Sequence, residues 1–187
     1  MIGLPLETAR LRIRSFRPAD DAEPLHELWG DPDAMRFVRP GRDATTVADT
    51  RTRLEELALR TDGWGFWAIE ERDGERLVGG AGLFPLEWKG PEIELAYHVV
   101  PSRWGRGYAA EAGAALLAAA WRDTELGHVV AVAVPDNRAS TRVMEKLGME
   151  FERTESYGPH QVVRYRIARP RDVAPPGDVG HQRKPRR

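Results

Sequence analysis

Tyr97-His-Val-Val-Pro-Ser-Arg-Trp-Gly-Arg-Gly-Tyr-Ala-Ala-Glu-Ala112 is the stretch on which the fold turns. Its first residues read as the end of a β-strand, which Pro101 stops. Gly105 and Gly107 then form a turn, and an alanine-rich helical pattern starts near Tyr108. Glycines just ahead of a helix let backbone N–H groups approach an anion, and the helix N-terminus adds about half a positive charge. Such a turn is a phosphate cradle.

The flanking periodicities say what kind of sheet carries it. Upstream, Gly65–Glu70 and Arg76–Phe84 read as a hairpin about the turn Glu71–Glu75, and Glu92–Val100 as the next strand, giving an antiparallel meander. Gly79, Gly80 and Gly82 in the middle strand point to a bulge or to close approach of another backbone. Downstream, Tyr108–Asp123 repeats apolar residues at helical spacing, and His128–Val134 is a continuous apolar run, as in a central strand covered on both faces. Strand, helix, strand implies one right-handed parallel crossover.

The outer segments complete a mixed α/β domain. Leu11–Phe16 alternates like a half-buried strand, and Asp20 or Asp21 is expected to cap a helix running to Trp29. Asp31–Val38 reads as a short helix, Pro40-Gly41 as a loop, and Thr46 as the cap of a helix reaching Arg60. Asn137–Leu147 is a helix with an Asn cap and Gly148 after it, and Glu152–Tyr157 with Gln161–Ala168 forms a closing hairpin. One domain over 1–169 is expected, with a flexible proline- and arginine-rich tail over 170–187.

With 187 residues, 41% hydrophobic and 30% charged, the chain suits a single core. A net charge of -1 argues against a nucleic-acid partner, and no apolar run approaches the roughly 20 residues needed to span a bilayer. The N-terminus lacks the pattern of a secretion signal, and there is no cysteine, so a cytoplasmic location is expected. Lack of cysteine also excludes a thiol nucleophile and an acyl-cysteine intermediate. Nothing suggests a metal.

Gly105-Arg-Gly107-Tyr-Ala-Ala110 satisfies the dinucleotide pattern G-x-G-x-x-G/A, but a meander precedes it and only one crossover follows. The combination of Leu11-Arg-Ile-Arg14, Arg17-Pro-Ala-Asp20, Glu94-Leu-Ala-Tyr-His-Val99, Trp104–Ala112, Asn137-Arg-Ala-Ser140 and Glu145-Lys-Leu-Gly148 points elsewhere. In that order and spacing the chain resembles the GNAT superfamily of acetyl-CoA-dependent N-acetyltransferases, within it the Rim-type branch of ribosomal-protein N-terminal acetyltransferases. Trp104 stands where the family signature [QR]-x-x-G-x-[GA] has Gln or Arg.

The resemblance implies a GNAT fold, with a largely antiparallel central sheet splayed at the cofactor site and flanked by helices. It implies acetyl-CoA (coenzyme A) as co-substrate, its pyrophosphate on the amides of Gly105, Arg106, Gly107, Tyr108 and Ala109, with Val99, Val100 and Asn137 along the pantetheine arm. The implied activity is direct acetyl transfer to a primary amine in a ternary complex, a protein N-terminus being favoured. A small-molecule amine, or a non-catalytic acyl-CoA sensor, is the alternative. A homodimer is compatible with all of these.

Transfer needs a base for the attacking amine and an acid for the leaving thiolate. Strand alternation puts Glu92, Glu94, Ala96 and His98 on one face. Glu94 is the first choice of base and Glu92 the second, with His98 also in range; solvating surface carboxylates are the plain alternative. Ser140 is implied by resemblance as the acid and as a neighbour of the CoA sulfur. Glu111 reads as an acid at a helix N-terminus rather than a catalyst. Trp29, Trp64, Trp67 and Trp88 fall where acceptor-cleft walls are expected by resemblance, with core packing the simpler reading of each.

Overall fold

The computed structural model describes residues 2–37, 46–60, 63–157 and 160–176. The elements run β1 (Leu6–Glu7), β2 (Leu11–Arg14), α1 (Pro18–Trp29), α2 (Pro32–Met35), α3 (Val47–Ala58), β3 (Gly65–Glu71), β4 (Arg76–Pro85), β5 (Ile93–Val99), α4 (Tyr108–Asp123), β6 (His128–Ala133), α5 (Arg138–Lys146), β7 (Glu150–Tyr157) and β8 (His160–Ala168). The eight strands form one sheet in the order β1-β2-β3-β4-β5-β6-β8-β7. Every pairing is antiparallel except β5 with β6. The meander, the parallel crossover through α4 and the closing hairpin expected from periodicity are all present.

Two apolar clusters sandwich the sheet. One gathers Ile13, Ile69, Leu83 and Leu95 against Ala112, Leu116 and Ala120 of α4 and Met144 of α5. The other packs Leu25, Leu28 and Trp29 of α1 and Leu54 of α3 on Phe66, Ala68 and Leu77. Phe66 and Ala68 alternate with Ile69's face because successive strand side chains point to opposite sides. The glycines of β4 serve close approach: a Cβ on Gly82 would lie 2.1 Å from the Gly65 carbonyl. Opposite Gly79 the β3–β4 register shifts between Ile69 and Glu70.

Some helix ends differ from expectation. Neither Asp20 nor Asp21 caps α1; Arg17 does so from an extended backbone, and the helix opens at Pro18. Proline at the first helical position is pre-set for it and has no N–H to satisfy. Asp21 instead accepts the Arg17 N–H at 2.7 Å and both terminal nitrogens of Arg14. Thr46 caps α3 in a reciprocal capping box with Asp49. Asn137 caps α5, its side-chain oxygen accepting from the Ser140 N–H. The Pro40-Gly41 loop and the end of the segment expected over 31–38 lie outside the described residues, as do 177–187 of the expected tail. Before that tail, Arg169 ties the end of β8 to the carbonyls of Trp121, Thr124 and Leu126.

Candidate active site

β5 and β6 share a single register pair, Glu94 with Val130, and then part. The rest of β5, through Tyr97 and Val99, therefore has β4 on one edge and an opening on the other. Gly79 pairs with Val99 while the Val100 N–H donates to the Val78 carbonyl. In an antiparallel ladder that pattern turns the N–H and C=O of Val99 away from β4, toward the opening. Val100 is different. Its N–H is taken by Val78, its carbonyl accepts from Arg103, and its side chain is buried. Val99 thus offers its N–H to a ligand, its carbonyl accepting from the Trp104 indole, and Val100 offers neither group.

Beyond the opening comes the glycine turn. Gly107 is the N-cap of α4 in the left-handed region (φ 80), and no side chain caps the helix there. The first-turn amides have no intrahelical acceptor and face outward. Gly105 is likewise left-handed (φ 75), with open space around it. Arg10 fastens the turn from behind, donating to the Arg106 carbonyl at 3.0 Å and pairing with Glu111. Glu111 also accepts from the Thr8 hydroxyl and the Arg10 N–H, which ties the β1–β2 turn to the first turn of α4. These bonds outweigh its partial burial and hold its carboxyl below the usual range. Arg106 itself is exposed. The Tyr108 side chain is structural, its hydroxyl donating to Glu71 at 2.5 Å, so only its backbone belongs to the cradle. Trp104, with 57% of its surface exposed, donates its indole N–H to the Val99 carbonyl at 2.6 Å.

A cavity of about 340 Å³ runs from the opening across to α1 and α3. Glu94, Tyr97, His98, Asn137 and Ser140 line it at the splay, and Trp29, Phe66, Phe84, Glu87 and Trp88 toward the helices. Trp64 and Trp67 do not; they pack on the main core. No hydrogen bond or ion pair reaches the Glu94 carboxyl from the described residues. Burial, helped by the charge of Glu87, pushes its pKa up to about 7. Glu92 has the opposite fate. It accepts from Arg164 and sits 3.1 Å from His128 Nε2, and these contacts lower its pKa despite partial burial. A carboxylate so held is a tie between strands, which leaves Glu94 as the carboxylate at the splay end of the cavity. His98 packs its ring on Phe66 with centroids 5.1 Å apart.

Ser140 stands in the first turn of α5, and its unexpected neighbour is Tyr97. The phenol donates to the Ser140 carbonyl at 2.9 Å and lies 3.2 Å from Ser140 Oγ. With its own hydrogen on that carbonyl, the phenol oxygen is free to accept from the serine hydroxyl. Burial raises Tyr97 to about 12, so it stays protonated. No sequence signal marks Tyr97 as a partner of Ser140. Alternation put Tyr97 on the face away from Glu94, and only the splay brings both onto one cavity.

The Acetyltransferase (GNAT) domain model matches residues 10–150. The chain belongs to the GNAT acetyltransferase family. An uncharacterized protein of Bacillus subtilis, YkkB, is 30% identical over 152 residues, covering 80% of this chain and 87% of YkkB. An acetyltransferase (GNAT family) from Bacillus anthracis superposes with a TM-score of 0.76 at 26% identity, over 89% of this chain and 99% of that one. RimL, a ribosomal L7/L12 alpha-N-protein acetyltransferase solved in complex with coenzyme A, shares the fold at a TM-score of 0.71 and 18% identity, over 86% and 95% of the two chains. This GNAT protein is accordingly an acetyl-CoA-dependent N-acetyltransferase. Among the described residues no helix is long and apolar enough to cross a membrane.

The site suits the co-substrate. An uncapped helix N-terminus behind two left-handed glycines fits a pyrophosphate, and the outward-turned edge at Val99 fits the amides of a pantetheine arm. Amides from Gly105 to Ala109, the Arg106 side chain, Val99 and Asn137 are the groups that would hold it. Gly107→Ala tests the cradle. An L-residue at φ 80 costs about 1–2 kcal/mol, and relaxing it turns the first-turn amides off line. Acetyl-CoA affinity by titration calorimetry should fall about tenfold or more, with the melting temperature lowered by about 2–8 °C, as that strain implies. Unaltered affinity would remove Gly107 from the site.

Proposed function

We propose that this GNAT enzyme acetylates the N-terminal α-amine of a protein or peptide, with Glu94 as general base and Ser140, backed by Tyr97, as the proton donor to the leaving thiolate. The reading rests on one observation: a carboxyl without a partner among the described residues lines the same cavity as Ser140, and burial, with the charge of Glu87, pushes its pKa up to about 7. An α-ammonium has a pKa of about 7.7–8.0 and a lysine ammonium about 10.4. Proton transfer to Glu94 is then uphill by roughly 1 unit, or ~1.4 kcal/mol, for the first and by roughly 3 units, or ~4 kcal/mol, for the second. The site is matched to the weaker base. The likeness to RimL, though of the fold alone, points the same way.

Bound acetyl-CoA supplies an acetyl thioester that an uncharged amine attacks directly. Glu94 takes one proton from the incoming ammonium and later returns it to solvent. The Ser140 hydroxyl gives its proton to the sulfur as the carbon–sulfur bond breaks, and is resupplied with the proton that nitrogen loses when the amide forms. The Val99 N–H, facing the opening, and the walls of the cavity hold the reacting ends together and limit water.

Thiol release with a free-N-terminus peptide and with an Nα-blocked lysine peptide, both at pH 7.5, tests the acceptor. We expect kcat/KM for the α-amine to exceed that for the ε-amine by about 200-fold, in line with their neutral fractions. Comparable values would overturn the α-amine assignment. Turnover confined to small amines would point to a small-molecule acetyltransferase, and tight acetyl-CoA binding with no turnover of any amine to a sensor.

A further inference from the structure

The loop from β4 to β5 does something the acceptor chemistry above does not explain. It is tightly built: Leu86 N–H donates to the Glu92 carbonyl at 2.8 Å, and Lys89 and Gly90 both donate back to Leu86. Within it Glu87 and Trp88 are consecutive non-glycine residues in the left-handed region, at φ 54 and φ 59. Each such residue costs about 1–2 kcal/mol. Side-chain packing holds the pair there. Trp88 stacks on Phe84 with ring centroids 4.2 Å apart and planes at 10°, and the Arg60 guanidinium lies 3.7 Å from the Trp88 centroid.

The result is a second carboxylate on the cavity that Glu94 already lines. Glu87's ion-pair partner is Lys89 at 3.5 Å, which is 79% exposed, so the pair is weak. Two carboxylates on one partly dry cavity repel, and the strained turn adds to the cost. The polar and titratable groups that line the cavity with Glu94 are Glu87 from the loop, Arg53 from α3, Tyr97 and His98 from β5, Asn137 and Ser140 at the start of α5, and His160 from β8. Aromatic faces of Trp29, Phe66, Phe84 and Trp88 make up much of the rest of the acceptor side. The faces of Trp29 and Trp88 already carry the Arg53 and Arg60 guanidinium groups, so it is the carboxylate charge that attracts a further cation.

We propose that Glu87 docks the acceptor's ammonium group at the helix side of the cavity and delivers it, still charged, to Glu94. This deepens the amine-acetylation reading and needs only that the acceptor be a primary amine. Glu87 is a specificity residue in this scheme: it selects ammonium over neutral nucleophiles. It also sets the pH at which the base works, since its negative charge makes Glu94 harder to ionise.

Glu87→Gln keeps the shape and removes the charge. Steady-state kinetics of Glu87→Gln and Glu87→Asp from pH 5.5 to 9 should use a free-N-terminus peptide and n-butylamine in parallel. For whichever amine turns over, we expect Glu87→Gln to raise the amine KM about tenfold, with acetyl-CoA KM unchanged. The acid limb of kcat/KM should move to lower pH, because the base loses a repelling neighbour. Glu87→Asp, which keeps the charge, should lie nearer the parent on both measures. An unchanged amine KM with an unmoved acid limb overturns the proposal, as does a Gln variant in which both substrates' KM values rise together. Butylamine turnover without peptide turnover would remove the α-amine acceptor while leaving Glu87's role measurable.

Discussion

Glu94→Gln is expected to lower kcat/KM for the amine by about 10²–10³-fold, the usual worth of a positioned general base, with acetyl-CoA affinity retained. The same change should stabilise the protein at alkaline pH. Glu94 has its pKa raised from 4.5 to about 7 by burial, so the folded state resists its ionisation. Below about pH 4.5 the carboxyl is protonated folded or unfolded, and the side chain costs nothing. Between the two values the unfolded chain ionises first and stability falls as pH rises. Well above pH 7 the penalty is complete, on the order of 3 kcal/mol. Glutamine carries no charge and escapes it. Thermal melts at pH 5 and pH 8 should show the variant gaining on the parent between the two. A constant difference would mean that Glu94 is not held neutral by the fold and would undercut its role as a tuned base.

The largest loss of stability is expected at Arg14. Its guanidinium, in a side chain 9% exposed, reaches Glu70 at 2.6 Å and Asp21 at 2.7 and 2.9 Å, joining β2, β3 and α1 under the acceptor-side helices. Arg14→Met strips the buried Asp21 and Glu70 carboxylates of their close cation, leaving Glu70 only the longer contacts to Arg12 at 3.6 Å and Arg17 at 3.9 Å, a change that costs about 3–5 kcal/mol. For a chain of this size that corresponds to a fall of roughly 10 °C in Tm. Adding Asp21→Asn and Glu70→Gln to Arg14→Met should recover a good part of the loss, because it is the stranded charge that destabilises. If the triple variant melts no higher than the single one, packing rather than charge holds this junction.

Local pattern made most of this molecule readable. The two glycines before an alanine-rich run located α4 to the residue, and the apolar run at His128 located β6. The Asn137 cap and the Thr46 capping box also held, because each depends on a side chain and a backbone donor a few residues away. Arg14 was not legible: in Leu11-Arg-Ile-Arg14 it reads as an outward residue, and only α1 laid over that face buries it. Asp21 was misplaced for the same reason, since its partner lies on another element. In the site, alternation groups Glu92, Glu94, Ala96 and His98, and of these Glu94, Ala96 and His98 line the cavity. That Glu92 is engaged with Arg164, and that Tyr97 meets Ser140, both follow from how β5, β6 and β8 are brought together, which no single segment encodes. Glu87 had no signal at all, because its left-handed backbone is imposed by the stacking of Trp88 on Phe84.

The parting of β5 from β6 after Glu94 and Val130 has a mechanical consequence. Hydrogen-bonded rungs carry load from strand to strand, and here the eight-stranded sheet is riveted at one point midway across. The β1–β5 half and the β6–β8–β7 half are therefore joined less by rungs than by the core cluster that runs beneath both with α4. An extended pantetheine laid along Val99 would act as a temporary ninth strand, replacing missing rungs and stiffening the joint. The donor then becomes part of the scaffold that holds the acceptor cavity in shape, so a productive cavity would assemble most completely after the donor has arrived.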